Sequence, residues 1–157
     1  MSQLLAELKI ETPEQMHELG VQVARQLRAG DLVVLTGPLG AGKTTFTRGV
    51  GEGLNTIGTV SSPTFVIART HKRSDGGPVL VHVDAYRLGS PAELDDLDID
   101  FDHSITLVEW GRGFTDGLVD QWLDIEIDRD HTGATETRMV RLIGNGSRWQ
   151  EMQVKIA

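Results

Sequence analysis

The stretch Gly37-Pro38-Leu39-Gly40-Ala41-Gly42-Lys43-Thr44 constrains this chain more than any other. It fills every fixed position of G-x-x-x-x-G-K-T, between an apolar run, Leu32 to Leu35, and a helix-compatible stretch, Thr44 to Gly49. A strand would deliver the loop, glycines would let backbone N–H groups approach an anion, and the following helix would aim its positive N-terminus into the same space. Lys43 has the reach for β- and γ-phosphates, and the Thr44 hydroxyl suits Mg²⁺, a hard cation that takes oxygen ligands. The plainer alternative is a Gly-rich turn with a solvated lysine, and the strand-loop-helix context argues against it.

Along the chain, Leu4 to Ile10 reads as a short strand. Thr12-Pro13-Glu14-Gln15 reads as a helix start, with Thr12 as N-cap, Pro13 at the first helical position and Gln15 in the reciprocal place of a capping box. Met16, Leu19, Val23 and Leu27 continue it at helical spacing until Gly30. Gly51 and Gly53 end the helix after the phosphate loop. Ser61, Ser62 and Thr64 follow the loop lysine by about twenty positions. There, phosphate-loop switches offer oxygens to a γ-phosphate, and an ordinary polar turn fits equally well.

Phe65 to Thr70 and Val79 to Val83 read as an antiparallel pair, joined by the turn-rich Ser74-Asp75-Gly76-Gly77-Pro78. Asp84 then stands just beyond an apolar run, where carboxylates of α/β nucleotide sites stand. His82 alternates with apolar residues and reads as packed or surface histidine rather than a catalytic group. Ser90-Pro91-Ala92-Glu93-Leu94 is another helix start, and Glu93 to Asp102 puts six carboxylates in ten positions. That run reads as a solvated or docking face before it reads as a metal site. Ile105 to Val108 is a buried-type strand followed at once by Glu109, the pattern that sets one carboxylate beside a metal. Trp110 either borders the nucleotide or is simply buried. Phe114 to Val119 is expected as a short helix, and Trp122 to Ile127 with Arg138 to Ile143 as a terminal hairpin.

The expected fold class is therefore α/β, one phosphate-loop (P-loop) NTPase domain over residues 1–157, with a mixed parallel and antiparallel sheet flanked by helices. The 15 basic against 23 acidic residues give a net charge of −8, which argues against a broad basic surface for nucleic acid. Cysteine is absent, which removes disulfides, thiolate metal sites and a cysteine nucleophile. No run of ~18 apolar residues occurs, and the N-terminus lacks a signal peptide's apolar core, so a soluble cytoplasmic protein is expected.

Four segments together resemble the bacterial TsaE (YjeE) family, the small ATPase of tRNA threonylcarbamoyladenosine biosynthesis. They are Gly37 to Phe46, Ser62-Pro63-Thr64-Phe65, His82-Val83-Asp84-Ala85-Tyr86-Arg87-Leu88 and Val108-Glu109-Trp110-Gly111. The H-x-D-x-Y-R-L segment followed by E-W-G is far more specific than the phosphate loop. Pro38 departs from the family's commoner acidic residue, at a position that needs no particular side chain.

The resemblance implies ATP and Mg²⁺ as ligands, weak intrinsic hydrolysis, and assembly with the paired TsaB and TsaD proteins that transfer the threonylcarbamoyl group to tRNA. Contact with tRNA would run through those partners. Lys43, Asp84 and Glu109 would be catalytic, with Thr44, Asp84 and Glu109 on the metal side and Asp84 either orienting water or completing the metal shell. Residues 37 to 45, that is Gly37, Pro38, Leu39, Gly40, Ala41, Gly42, Lys43, Thr44 and Thr45, would hold the nucleotide together with Thr64. By family position Thr12 would approach the adenine and Arg138 the nucleotide edge, against the plainer readings of a helix cap and a surface strand residue.

Two other functions fit the same loop. A small-molecule kinase would need an acceptor pocket and an arginine-bearing lid, for which Arg69, Lys72 and Arg73 are the one basic cluster at a hairpin. A non-enzymatic switch would need nucleotide only to order Ser61 to Thr64. Guanine is disfavoured because no N-K-x-D-type segment occurs.

Overall fold

A computed structural model describes residues 2–38, 40–58, 68–85, 88, 90–110, 119–129 and 137–156, with the side chains of Pro91 and Asp95 set aside. The uninterrupted apolar runs of the sequence become its central strands, because a strand covered on both faces needs no polar alternation. These are β2 (Leu32–Thr36), β4 (Leu80–Asp84) and β5 (Ile105–Glu109). The alternating segments become β6 (Trp122–Arg129) and β7 (Arg138–Asn145), whose burial alternates residue by residue. With β1 (Ser2–Ile10) and β3 (Ala68–His71) they form a seven-stranded sheet in the order β1-β7-β6-β2-β5-β4-β3. The β6-β2-β5-β4 centre is parallel, and both flanks are antiparallel.

Helix α1 (Pro13–Ala24) starts as the sequence predicts, with Thr12 Oγ1 accepting from the Gln15 N–H at 3.1 Å. Gln15 reaches one residue further back than a capping box requires: its Oε1 accepts from the Glu11 N–H at 2.7 Å. The helix ends at Ala24 and not at Gly30. Tight bonds from the Gln26 and Leu27 amides to the Val23 and Ala24 carbonyls close its last turn. The Gln26 carbonyl is taken at 2.7 Å by Arg148, which also pairs with buried Asp31 at 2.8 Å.

Helix α2 (Lys43–Gly53) crosses α1 at a glycine-to-glycine contact. A Cβ on Gly20 would strike the Phe46 carbonyl, and one on Gly49 would strike the His17 carbonyl. Met16, Leu19, Val23, Phe46 and Val50 fill the space between these helices and one face of the sheet. On the other face Val34, Val83 and Val108 meet Leu88 and Leu94, the latter from α3 (Pro91–Asp95). The acidic run beyond Leu94 is solvated: Glu93, Asp96, Asp98, Asp100 and Asp102 are exposed while Leu97, Ile99 and Phe101 turn partly inward.

The C-terminal segment, unassigned by the sequence pattern, is an extended strap on α1. Gln22 gives and takes one hydrogen bond each with Lys155, at 2.6 and 2.7 Å, and Gln26 does the same with Gln153, at 2.6 and 3.0 Å. Alternating with these two, Met152 is buried and Val154 and Ile156 are half-buried, as in a strand. The helix expected over Phe114 to Val119 lies almost wholly outside the described residues. Among the described residues no helix is long and apolar enough to cross a membrane.

Candidate functional site

Strand β2 runs into the loop, and α2 leaves it with Gly42 as N-cap at φ +110°, a conformation that favours glycine and offers no capping side chain. The first backbone amides of α2 therefore open toward the loop, where an anion can answer them. Gly37 is wedged against β6, where a Cβ would lie 3.0 Å from the Ile127 carbonyl. Pro38 is exposed and its carbonyl accepts from the Ala41 N–H at 3.1 Å, closing the loop on itself.

Lys43 folds back over this loop. Its Nζ donates to the Gly37 carbonyl at 2.6 Å and lies 3.4 Å from the centroid of the Trp110 ring, with only 8% of the residue exposed. Burial pulls its pKa below the ordinary lysine value, and the charges of Glu109 and Asp84 oppose that shift. Trp110 holds its place through an N–H bond to the Leu35 carbonyl at 3.0 Å and a left-handed backbone at φ +61°, uncommon for so bulky a residue.

The two strand-end carboxylates converge because their strands are parallel and in step. Glu109 pairs in register with Leu35 on one side and with Asp84 on the other, so both acids stand at the strand ends nearest Lys43. Glu109 is buried and Asp84 half-buried. Thr44 is half-buried in the first turn of α2. The donor set of Thr44, Asp84 and Glu109 is all oxygen and suits a hard divalent cation. Among the described residues no three His, Cys, Asp or Glu side chains cluster as a metal site by themselves.

Beside the loop opens a cavity of about 220 Å³, lined by Ile10, Thr12, Met16, Gly40, Thr45 and Arg138 among others. Thr12 and Arg138 thus line one cavity although they are far apart in sequence, because Arg138 pairs with Ile10 across β1 and β7. Arg138 is more than a surface strand residue, since Nε donates to the Ala41 carbonyl at 3.2 Å and Nη2 reaches the Gly40 carbonyl at 3.4 Å. Leu39 and Thr64, with Ser61 and Ser62, lie outside the described residues, as do Tyr86, Arg87 and Gly111.

Two residues touch the site in ways that the sequence pattern does not show. Met16 was read only as core, yet it lines the cavity from α1. His82 is packed, one of the two plain readings of its sequence pattern: it is fully buried, with Nε2 3.3 Å from Glu109 Oε1. Its alternation with apolar residues signalled burial, and nothing local signalled the acid on the neighbouring strand.

Comparison with known proteins bears on family and fold. Residues 10–140 match the family model described as threonylcarbamoyl adenosine biosynthesis protein TsaE. A tRNA threonylcarbamoyladenosine biosynthesis protein TsaE of Streptomyces coelicolor is 52% identical over 145 residues, covering 90% of this chain and 98% of the relative. The protein of the same name in Bacillus subtilis is 35% identical over 141 residues, covering 88% and 85%. A crystal structure of Bacillus subtilis YdiB superposes with a TM-score of 0.75 at 31% identity, covering 97% of this chain and 93% of that one.

Proposed function

The chain belongs to the threonylcarbamoyl adenosine biosynthesis protein TsaE family, and from that footing we propose that it is the ATP-hydrolysing accessory of tRNA threonylcarbamoyladenosine biosynthesis. The family sets the pathway, and the site suggests the chemistry. The observation that carries the reading is the buried Lys43 ammonium at the end of the strand-loop-helix cradle, with Asp84 and Glu109 close enough to oppose its pKa shift. A lysine on a solvated turn would be neither buried nor flanked by two strand-end acids.

In this reading the loop amides and Lys43 bind the β- and γ-phosphate oxygens and stabilise the charge that develops as the terminal phosphoryl group leaves ADP for water. The adenosine end lies in the cavity between Thr12, Met16 and Arg138. Thr44, Asp84 and Glu109 would hold Mg²⁺, which when bound neutralises phosphate charge. Asp84 either belongs to that set or orients the attacking water. The partners proposed are the TsaB and TsaD proteins, in the cytoplasm, with tRNA reached through them.

The test is ATP hydrolysis by the purified chain, alone and with TsaB, TsaD and substrate tRNA. Slow turnover that the partners stimulate, loss of nucleotide binding or turnover in Lys43→Ala, and slower hydrolysis by folded Asp84→Ala and Glu109→Ala are the expected results. Unchanged hydrolysis in both acid variants would overturn the site. Repeated cycles of assembly on a non-hydrolysable ATP analogue would move the reading to a switch.

A further inference from the structure

We propose that His82 is a positioning residue for Glu109, holding that carboxylate from beneath by an Nε2–H donor. The inference deepens the ATPase reading and rests on it for its kinetic half. His82 lies two residues before Asp84 on β4, so the two side chains leave the same face of the sheet. Across the β4–β5 register His82 sits beside Leu107 and Asp84 beside Glu109, which makes His82 and Glu109 diagonal neighbours on that face. The imidazole is fully buried, and Glu109 is its ion-pair partner among the described residues.

The contact is incomplete in this structure. Nε2 and Oε1 approach to 3.3 Å, but the geometry is not that of an aligned hydrogen bond, and among the described residues neither atom has another hydrogen-bond partner. Two complementary buried polar atoms that face each other without an aligned bond are costly as they stand. A small rotation of the Glu109 carboxylate satisfies both, and catalytic hydrogen bonds in unliganded sites are often loose in this way and tighten on loading. A carboxylate oxygen facing Nε2 selects the Nε2–H tautomer and leaves Nδ1 as the bare nitrogen. His82 then fixes one oxygen of Glu109 and leaves the other for the cradle. Without it Glu109 is free to turn and pair with Lys43, which disables both groups at once.

Three variants and one spectrum test this. His82→Leu should lower kcat for ATP about 10- to 100-fold, the usual effect of losing a supporting partner, with KM within about threefold. His82→Gln, whose amide nitrogen can replace Nε2–H, should recover most of the loss. In a Glu109→Ala background His82→Leu should cost nothing more, because the effect acts through the missing carboxylate. Imidazole nitrogen NMR should find His82 as the Nε2–H tautomer and should show its Nε2 resonance move in Glu109→Ala. A folded His82→Leu protein with normal kcat, or equal losses in Leu and Gln, would overturn the proposal, as would an Nδ1–H tautomer. A chain that hydrolyses no ATP yet gives the expected spectrum would instead overturn the ATPase reading and leave the His82–Glu109 pairing standing.

Discussion

The Lys43 ammonium rests 3.4 Å from the centroid of the Trp110 indole while its Nζ donates to the carbonyl of Gly37. The face of the ring and the carbonyl together replace part of the hydration that burial removes. A desolvated cation–π contact is worth about 1–2 kcal/mol. A double-mutant cycle with Lys43→Met and Trp110→Leu, read by urea unfolding, should return a coupling of about 1 kcal/mol. Additivity within about 0.3 kcal/mol would mean that the contact contributes nothing to stability.

The α1–α2 crossing should tolerate no added methyl. Alanine is favoured over glycine inside a helix by up to ~1 kcal/mol. At Gly20 and Gly49, however, the new carbon meets backbone oxygens, which cannot swing away as a side chain would. Overpacking of this kind costs about 1–3 kcal/mol or more. Gly49→Ala should therefore lower the thermal midpoint despite its better propensity, whereas Gly76→Ala, in open space at positive φ, should pay only backbone strain.

Arg148→Ala should be among the more damaging surface-proximal changes. It strips Asp31 of a cationic partner held at 2.8 Å, leaves that buried carboxylate to the Arg28 backbone N–H, and frees the Gln26 carbonyl. Breaking one side of a buried pair costs about 3 kcal/mol. Chemical denaturation should show that loss with nucleotide binding retained in the folded fraction, because the pair lies away from the Lys43 cradle. A change under 0.5 kcal/mol would mean the pair is effectively solvated.

Acid should weaken the fold through His71. Burial first, and then the charge of Arg69, hold its pKa below the ordinary histidine value. The unfolded chain therefore binds more protons than the folded one between the lowered value and ~6.5. In that window stability rises with pH; it is full above ~6.5 and declines as pH falls toward the folded value. His71→Gln should flatten the decline in thermal midpoint on acidification. His103 acts with the opposite sign, since its hydrogen bond to Asp100 raises its pKa, but it is fully exposed and common to both proteins compared. A His71→Gln profile parallel to the parent's would remove His71 as the cause.

Much of the site was legible because its chemistry is local. Gly37 to Thr44 carries its own strand, turn and helix start, and Asp84 and Glu109 each follow an apolar run. Their meeting was not legible in any window. It depends on β5 lying between β2 and β4 in parallel, with Leu35, Glu109 and Asp84 in one row. The left-handed backbone at Trp110 was hidden for a different reason, since propensity assigns that conformation to glycine or asparagine. The end of α1 was misplaced because Gly30 looked like the stop, whereas Arg148 and the C-terminal strap, more than a hundred residues away, hold Gln26. Gly20 and Gly49 carried a sequence signal of weakness and not of contact, because helix propensity takes no account of what approaches from outside.

The seam where Gly20 meets Gly49 also divides labour within the site. With backbone lying on backbone there is no side chain between the helices to change rotamer. Thr12 and Met16 at one end, and Lys43, Thr44 and Thr45 at the other, then behave as a single stiff jaw. Under the proposed ATPase reading, an adjustment between triphosphate and diphosphate is expected outside this jaw, and among the described residues the strand ends that carry Asp84, Glu109 and Trp110 are what stands beside Lys43.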